Sequence, residues 1–498
     1  MGVIIRQGIK SSIVAYLGVA LSAVNILYIY PKFLQTDEIG LITILTSISL
    51  MIAPIAQLGV PNIILKYYPY VKNDAKQLSA FLSFIVLIPI VGFIVAMLVL
   101  FLARSVFVDQ FSENSPLIID YLFALVPFSF FLVGNNIVDA LARVQYRIVM
   151  PKFYKEINLK IITIALILSY YYFGFSLDFL VYGIILGFGI SFTQTLIYLR
   201  RLNPLKISFK LKDLPPQLVK EGLTYGIFII LQGFSGLIVT KIDSWMIAKY
   251  INLSQTGIYA IAVYIGLAIE MPKRSLNLIS MPVIGDALKN NRMDQVNDIY
   301  KKSSSIQLIA GMLLLTCVWI NIDSIFSLIP NSETYVQGKY VVLFIGLAVV
   351  FDMGTGVNNE IILLSNFYKY NLLIIIPLIV LTILSNLWLI PIYGITGAAL
   401  ATAISIFIYN IIKFGLVYYM LKMQPFSFKT LLILVIGILT YFIVDAIPLS
   451  SFALLTIIYK GLFVCVFSIA ANYALKTSED MNRLIIKSLK MIGIKVNK

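Results

Sequence analysis

Histidine is absent from all 498 residues, which removes the side chain whose charge changes most readily near neutral pH. Imidazole metal sites, Ser-His-Asp triads and histidine proton relays are excluded with it. Cysteine occurs twice, at Cys317 and Cys465, both inside apolar runs. The pair reads as two small buried hydrophobes, with no disulfide framework or thiolate metal cluster implied. Charge is scarce as well: 12% of residues are Asp, Glu, Lys or Arg, about half the usual share of a soluble domain. No Gly-x-x-x-x-Gly-Lys-Ser/Thr loop identifies an ATP site, so any driving force is an ion gradient, removal of product on the far side, or a partner.

What fills the chain instead is hydrocarbon. Hydrophobic residues make up 60% of it, and the mean hydropathy is +0.94, the signature of an integral membrane protein. Met1 to Lys10, with Arg6 and Lys10, leads into an apolar run from Ser11 to Phe33. That run is too long for a signal peptide and lacks a small-residue cleavage site, so it is read as a first retained helix. At about 20 residues per crossing, the runs predict fourteen helices, near residues 11–33, 39–62, 79–103, 117–141, 158–173, 179–199 and 222–248, then 255–282, 304–328, 338–364, 370–390, 395–420, 428–447 and 451–475.

Charge tests that parsing independently, because Lys and Arg collect in cytoplasmic connections. Five of the 38 basic residues fall in the odd-numbered connections (Lys32, Arg104, Lys241, Lys249, Lys339) and one, Lys460, in mid-helix; the other 32 fall at the termini and in the even-numbered connections. The odd connections and their flanks carry ten acids, among them Asp37, Glu38, Asp109, Glu113 and Asp178. Both termini are therefore expected in the cytoplasm, and topology accounts for the net charge of +15 without any role for nucleic acid. The odd connections, the longest around Ser105–Pro116 and Asn321–Tyr335, are too short for a catalytic domain.

The expected organisation is an N-terminal lobe over 1–200, a Pro-containing basic linker over 201–221, a second lobe over 222–420, two further helices over 421–475 and a basic tail over 476–498. An internal repeat supports two lobes of six helices each. Phe33 to Leu41 matches Tyr250 to Ile258 at an offset of 217, each with a polar turn and a glycine. Gly134, Asn136, Leu141, Tyr146 and Arg147 match Gly356, Asn358, Leu363, Tyr368 and Lys369 at an offset of 222. Six helices is an even number, so the two halves cross in the same direction, as a parallel repeat.

Polar groups inside spanning helices are costly and face a bundle interior or aqueous cavity. The seventh helix carries Gln232, Ser235 and Asp243 on one face with Lys241 nearby. The eighth carries Glu270, Lys273, Arg274 and Asn277 at i, i+3, i+4 and i+7. The tenth carries Asp352, Thr355, Gly356 and Asn359 on one stripe, with Glu360 adjacent. Lys66 ends the second helix, where it either snorkels to the interface or meets a phosphate. Glu270 with Arg274, and Asp139 with Arg143, have the spacing of ordinary i,i+4 ion pairs. Pro54 and Pro61 in the second helix and Pro272 and Pro282 in the eighth predict bends. Asp352 stands out as the acid nearest mid-membrane.

Several segments then carry a resemblance. Tyr393-Gly394-Ile395-Thr396-Gly397-Ala398-Ala399-Leu400-Ala401-Thr402-Ala403 resembles the signature between the eleventh and twelfth helices of bacterial polysaccharide-biosynthesis membrane proteins, the oligosaccharide (O-antigen) flippase family. Gln57-Leu58-Gly59, Lys66-Tyr67-Tyr68-Pro69, Lys241-Ile242-Asp243 and Asp352 to Asn358 are similar to the same family. The resemblance implies an all-α inner-membrane transporter of the multidrug/oligosaccharidyl-lipid/polysaccharide exporter superfamily, with a cavity between two six-helix lobes and two further helices. It implies outward movement of an undecaprenyl-diphosphate-linked oligosaccharide for surface polysaccharide such as lipopolysaccharide, with a glycan polymerase and glycosyltransferases as partners. Lys66, Lys241, Lys273, Arg274, Asn277 and Asn359 are the expected substrate contacts. Asp352, Glu270, Asp243 and Glu360 are candidates for coupling to H⁺ or Na⁺, with no bound metal or cofactor expected. A cation-coupled multidrug antiporter and a lipid II flippase are the alternatives inside the superfamily. A membrane glycan polymerase or ligase is the enzymatic one, and its usual large external loop is missing.

Overall fold

The computed structural model of the chain describes residues 2–202, 213–365, 367–448, 450, 452–483 and 486. The middle of the expected linker, 203–212, and most of the basic tail, 484–485 and 487–498, lie outside the described residues. Among the described residues every regular element is a helix, the one open structure that satisfies its own backbone in hydrocarbon. Twelve segments among the described residues are long and apolar enough to cross a membrane, and the chain is a multi-pass membrane protein.

The chain separates into two compact units, Met1–Gly257 and Ile258–Lys498. The first contains α1 (Gly2–Val24), α2 (Thr36–Ala56), α3 (Val60–Val71), α4 (Ala75–Leu102), α5 (Leu125–Val144), α6 (Leu159–Phe173), α7 (Leu177–Leu202) and α8 (Pro216–Tyr250). Helix α9 (Leu253–Leu267) leads into the second, with α10 (Met271–Lys289), α11 (Met293–Ile320), α12 (Lys339–Gly354), α13 (Asn358–Leu364), α14 (Tyr368–Leu421), α15 (Phe428–Asp445) and α16 (Ala453–Ala474). Helix α8, 35 residues long, is additional to the twelve segments. It packs on α2 and α3. Its end is tied down by Ser115 Oγ donating to the Ala248 carbonyl at 2.6 Å and Asn114 Nδ2 to that of Lys249 at 2.8 Å.

Helix α14 is two helices. Gly394 has φ 59° and ψ −137°, a conformation essentially reserved for glycine. Ser385 Oγ lies 3.5 Å from Ser405 Oγ, although 20 residues of straight helix at 1.5 Å each would separate them by about 30 Å. The chain therefore reverses within the Tyr393–Ala403 segment. A side chain at Gly397 would run into the Leu389 backbone, and Ala398, Ala399 and Ala401 are fully buried in the returning arm. The segment is a tight helical hairpin made of small residues because its two arms touch.

The segments recurring at an offset of 217 meet each other. Gly40 of α2 lies against Leu253, and Gly257 of α9 against Thr36; residues 36 and 253 are themselves 217 apart. Thr36 Oγ1 and Ser254 Oγ are 2.7 Å apart at the same crossing. Each glycine thus meets the counterpart of the residue that the other meets, the reciprocity of a contact about a local two-fold axis. Any Cβ at either glycine would strike backbone of the opposing segment. Gly40→Val and Gly257→Val are each expected to destabilise the protein by about 1–3 kcal/mol through overpacking, seen as equal falls in thermal unfolding temperature in detergent. A silent Gly40→Val would contradict the close crossing.

Helix α2 ends at a break over Gln57–Gly59, with Leu58 at φ 47° and Gly59 at φ 71°, before α3 begins at Val60, inside the span predicted as the second helix. Asn136 Nδ2 of α5 donates to Gln57 Oε1 at 3.1 Å and spans that break.

Candidate functional site

Charge converges in the second unit on α10, α12 and the returning arm of α14. Pro272, at the start of α10, has no N–H to offer the preceding turn, and the three residues Ala268–Glu270 before α10 tighten into a 3₁₀ turn. The regular α-helix is thus interrupted just before Lys273, Arg274 and Asn277, where the prolines are expected to disturb it. Helix α12 stops at Gly354 and α13 restarts at Asn358. Between them Gly356 is left-handed, with φ 62°. The broken helix leaves carbonyls to be satisfied from elsewhere. Ser304 Oγ of α11 donates to the Gly354 carbonyl at 2.5 Å, and Thr355 Oγ1 lies 2.8 Å from the Asp352 carbonyl and 3.1 Å from Asn410 Oδ1.

Asp352 sits on the last turn of α12, above this break. Lys273 Nζ donates to its Oδ2, and Lys413 Nζ lies 3.9 Å from its Oδ1. Lys413 is 3% exposed, and its ammonium rests 4.2 Å from the centre of the Tyr409 ring, a cation–π contact. One carboxylate thus serves two ammonium groups. One turn further along α10, Gln307 Nε2 donates to Asn277 Oδ1 at 2.9 Å, and Asn277 Nδ2 donates to Glu360 Oε1 at 2.8 Å. Glu360 is buried, and its Oε2 has no hydrogen-bond partner among the described residues. Glu270 accepts from Arg274 at 2.8 Å as the expected i,i+4 pair. Lys273, Arg274 and Lys413 against Glu270, Asp352 and Glu360 make the cluster neutral, which is what tolerates so much charge in an apolar bundle.

On the other side of α12 from Asp352 is an apolar cavity of about 490 Å³ between α11, α12 and α15, lined by Met312, Trp319, Phe351, Gly354 and Phe442 among others. Phe351 and Gly354 flank Asp352 in the chain but point to another side of α12, so the helix separates the charged cluster from a surface suited to hydrocarbon.

Of the sequence-based candidates, Lys273, Arg274, Asn277, Glu270, Asp352 and Glu360 come together here. Asn359 is half-buried on α13 and makes no hydrogen bond to the cluster among the described residues. Lys66, Lys241 and Asp243 belong to the first unit. Lys66 is exposed on α3 with its ammonium 4.2 Å from the Tyr225 ring centre and 5.0 Å from that of Tyr67. Asp243 is buried on α8 and Lys241 half-buried. The side chains of Gln232 and Ser235 lie outside the described residues. Asp139 faces Lys155 at 3.9 Å rather than Arg143, which is exposed. Lys413, Tyr409, Asn410 and Gln307 are absent from the sequence-based set. The available signal is a lone Lys three residues after an Asn, both within an unbroken apolar run.

No family model matches the chain, and no curated protein matches it in sequence. Solved structures do match. A lipid II flippase, MurJ, in an inward closed conformation is 15% identical with a TM-score of 0.72, covering 94% of this chain and 99% of that one. A multidrug resistance MATE transporter of the MOP superfamily, in an inward-facing conformation, is 14% identical with a TM-score of 0.66, covering 81% and 94%. A point mutant of the Vibrio cholerae MATE transporter VcmN is 13% identical with a TM-score of 0.53, covering 84% and 98%. The chain therefore has the fold of the lipid II flippase MurJ and the MATE transporters of the MOP superfamily.

Proposed function

We propose that this protein is a flippase for a polyprenyl-diphosphate-linked oligosaccharide, moving it outward across the bacterial cytoplasmic membrane by alternating access for surface polysaccharide synthesis. The observation that carries the reading is the Lys273–Asp352–Lys413 triad. A diphosphate is a strong acceptor for ammonium groups, and it can replace the carboxylate that holds both lysines. The polyprenyl tail stays in the surrounding hydrocarbon. Protonation of Asp352 would free the two lysines for the diphosphate, so the same acid couples a proton to substrate capture. Glu360, whose Oε2 has no hydrogen-bond partner among the described residues, is a second candidate for the coupling ion, and Lys66 is a candidate first contact for the phosphates.

In this reading both termini are cytoplasmic, and the hairpin at Gly394 together with α8 brings the crossings to fourteen. The two-lobe division at 201–221 belongs to the same proposal, as do a glycan polymerase and glycosyltransferases as partners. Lipid II is the second reading, favoured by the coverage of 94% against its flippase, since it offers the same polyprenyl diphosphate with a different glycan.

The test is the leaflet distribution of lipid-linked glycans in a strain lacking the gene, rescued with the wild type or with Asp352→Asn. Accumulation of a lipid-linked surface glycan on the inner leaflet, cured by the wild type and not by the variant, is the expected result. Accumulation of lipid II with arrested growth would assign the second reading. Unchanged glycans with altered drug susceptibility would refute both.

A further inference from the structure

The first unit has a cavity of its own, of about 380 Å³, lined from α4, α5 and α7. Its lining forms one stripe per helix: Leu82 to Phe93 on α4, Phe130 to Leu141 on α5, and Phe192 to Arg200 on α7. The steps are those of a single helix face. Along α4 the stripe runs 11 steps from Leu82 to Phe93, about 16 Å at 1.5 Å per residue, which is the depth of one leaflet in a hydrocarbon layer about 30 Å thick.

Its two ends differ. The deep end is closed by Phe93, Phe130 and Phe192, while at the other Arg200, in the last turn of α7, is the sole charged residue of the lining. Arg200 is exposed. The same end of the unit carries Lys72 and Lys76 before and within the first turn of α4 and Arg143 in the last turn of α5. An apolar slot one leaflet deep with a guanidinium at its polar mouth complements an amphiphile with one hydrocarbon chain and a phosphate.

We propose that this groove binds an anionic phospholipid from the leaflet on the basic side, with one acyl chain between α4, α5 and α7 and its phosphate on Arg200. The slot holds a lipid rather than a glycan because its walls offer a sugar no hydrogen-bonding side chain apart from Arg200. It lies wholly within the first unit, so it is independent of the charged cluster of the second.

The test uses the full-length protein in nanodiscs containing phosphatidylglycerol with a photoactivatable acyl chain, and maps the labelled peptides. Labels are expected to concentrate on 82–93, 130–141 and 192–200. Arg200→Gln should weaken phosphatidylglycerol labelling about fivefold, the share of one basic group near an anionic headgroup, and leave phosphatidylcholine labelling unchanged. Val86→Trp, which fills the slot, should remove the labels while thermal unfolding confirms an intact fold. Labels spread evenly over other lipid-facing helices, or a phosphatidylglycerol preference untouched by Arg200→Gln, would overturn the proposal. Displacement by undecaprenyl phosphate but not by unlabelled phosphatidylglycerol would overturn it in favour of a polyprenyl tail.

Discussion

Asp352→Asn is expected to abolish transport and to destabilise the protein by about 3 kcal/mol, the low end for breaking a buried ion pair, because the Asp352 side chain keeps 23% of its exposure. The substitution leaves Lys273 and Lys413 facing a neutral amide, with Lys413 almost wholly enclosed. Lys413→Met removes one of the two ammonium groups and leaves Lys273 paired, so its effect on stability should be much smaller. In the double variant Asp352→Asn/Lys413→Met, one of the stranded charges is gone, and part of the lost stability should return. Thermal unfolding of the four proteins forms a double-mutant cycle. Coupling within about 0.5 kcal/mol of zero, the additivity of unrelated sites, would show that Lys413 and Asp352 do not act together.

The second large effect is at the break in the helix that carries Asp352. Gly356→Ala is expected to cost about 1–2 kcal/mol for the left-handed conformation alone. Its Cβ would also lie 2.9 Å from Ser303 Oγ and 3.0 Å from the Ser304 backbone nitrogen, and the nitrogen cannot move without dragging α11. Overpacking of this kind adds about 1–3 kcal/mol. Gly354→Ala, two residues earlier, is the matched control. Its Cβ would meet the flexible end of Leu308 at 3.3 Å, and the residue is in ordinary helical conformation. Gly356→Ala should therefore lower both unfolding temperature and transport, and Gly354→Ala should change each slightly. Equal effects would mean that the break has no special geometry.

Much of this is readable from residue order. Apolar runs and polar breaks predict the helical membrane fold, and Pro272 marks the place where the α-helix gives way to a 3₁₀ turn. The face Glu270-Lys273-Arg274-Asn277 on α10 and the stripe from Asp352 on α12 identify two walls of the charged cluster, because an ionisable residue in an apolar helix is visible as an exception to its surroundings. Lys413 escapes for the opposite reason. It stands near the basic end of its helix, where tallying positive charge by connection absorbs it as one more orienting residue. Its partnership with Asp352 depends on the reversal at Gly394, which returns the chain to α12, and tertiary contact of that kind leaves no periodic trace. Gln307 is likewise one polar side chain among neutral ones on α11, and its role follows from reaching Asn277 across helices. The break at Thr355–Val357 is half visible: Gly354 and Gly356 stand together in the segment Asp352 to Asn358, yet hydropathy runs straight through them and predicts a single helix.

The most direct test of the proposed function is reconstitution of the purified protein in liposomes containing a fluorescent undecaprenyl-diphosphate oligosaccharide, with a membrane-impermeant quencher added outside. The wild type should make the protected inner pool accessible, and Asp352→Asn, folded by thermal unfolding, should leave it protected. An inner pool that stays protected with the wild type, whatever polyprenyl-diphosphate glycan is supplied and with or without an imposed proton or Na⁺ gradient, would contradict the assignment as a flippase.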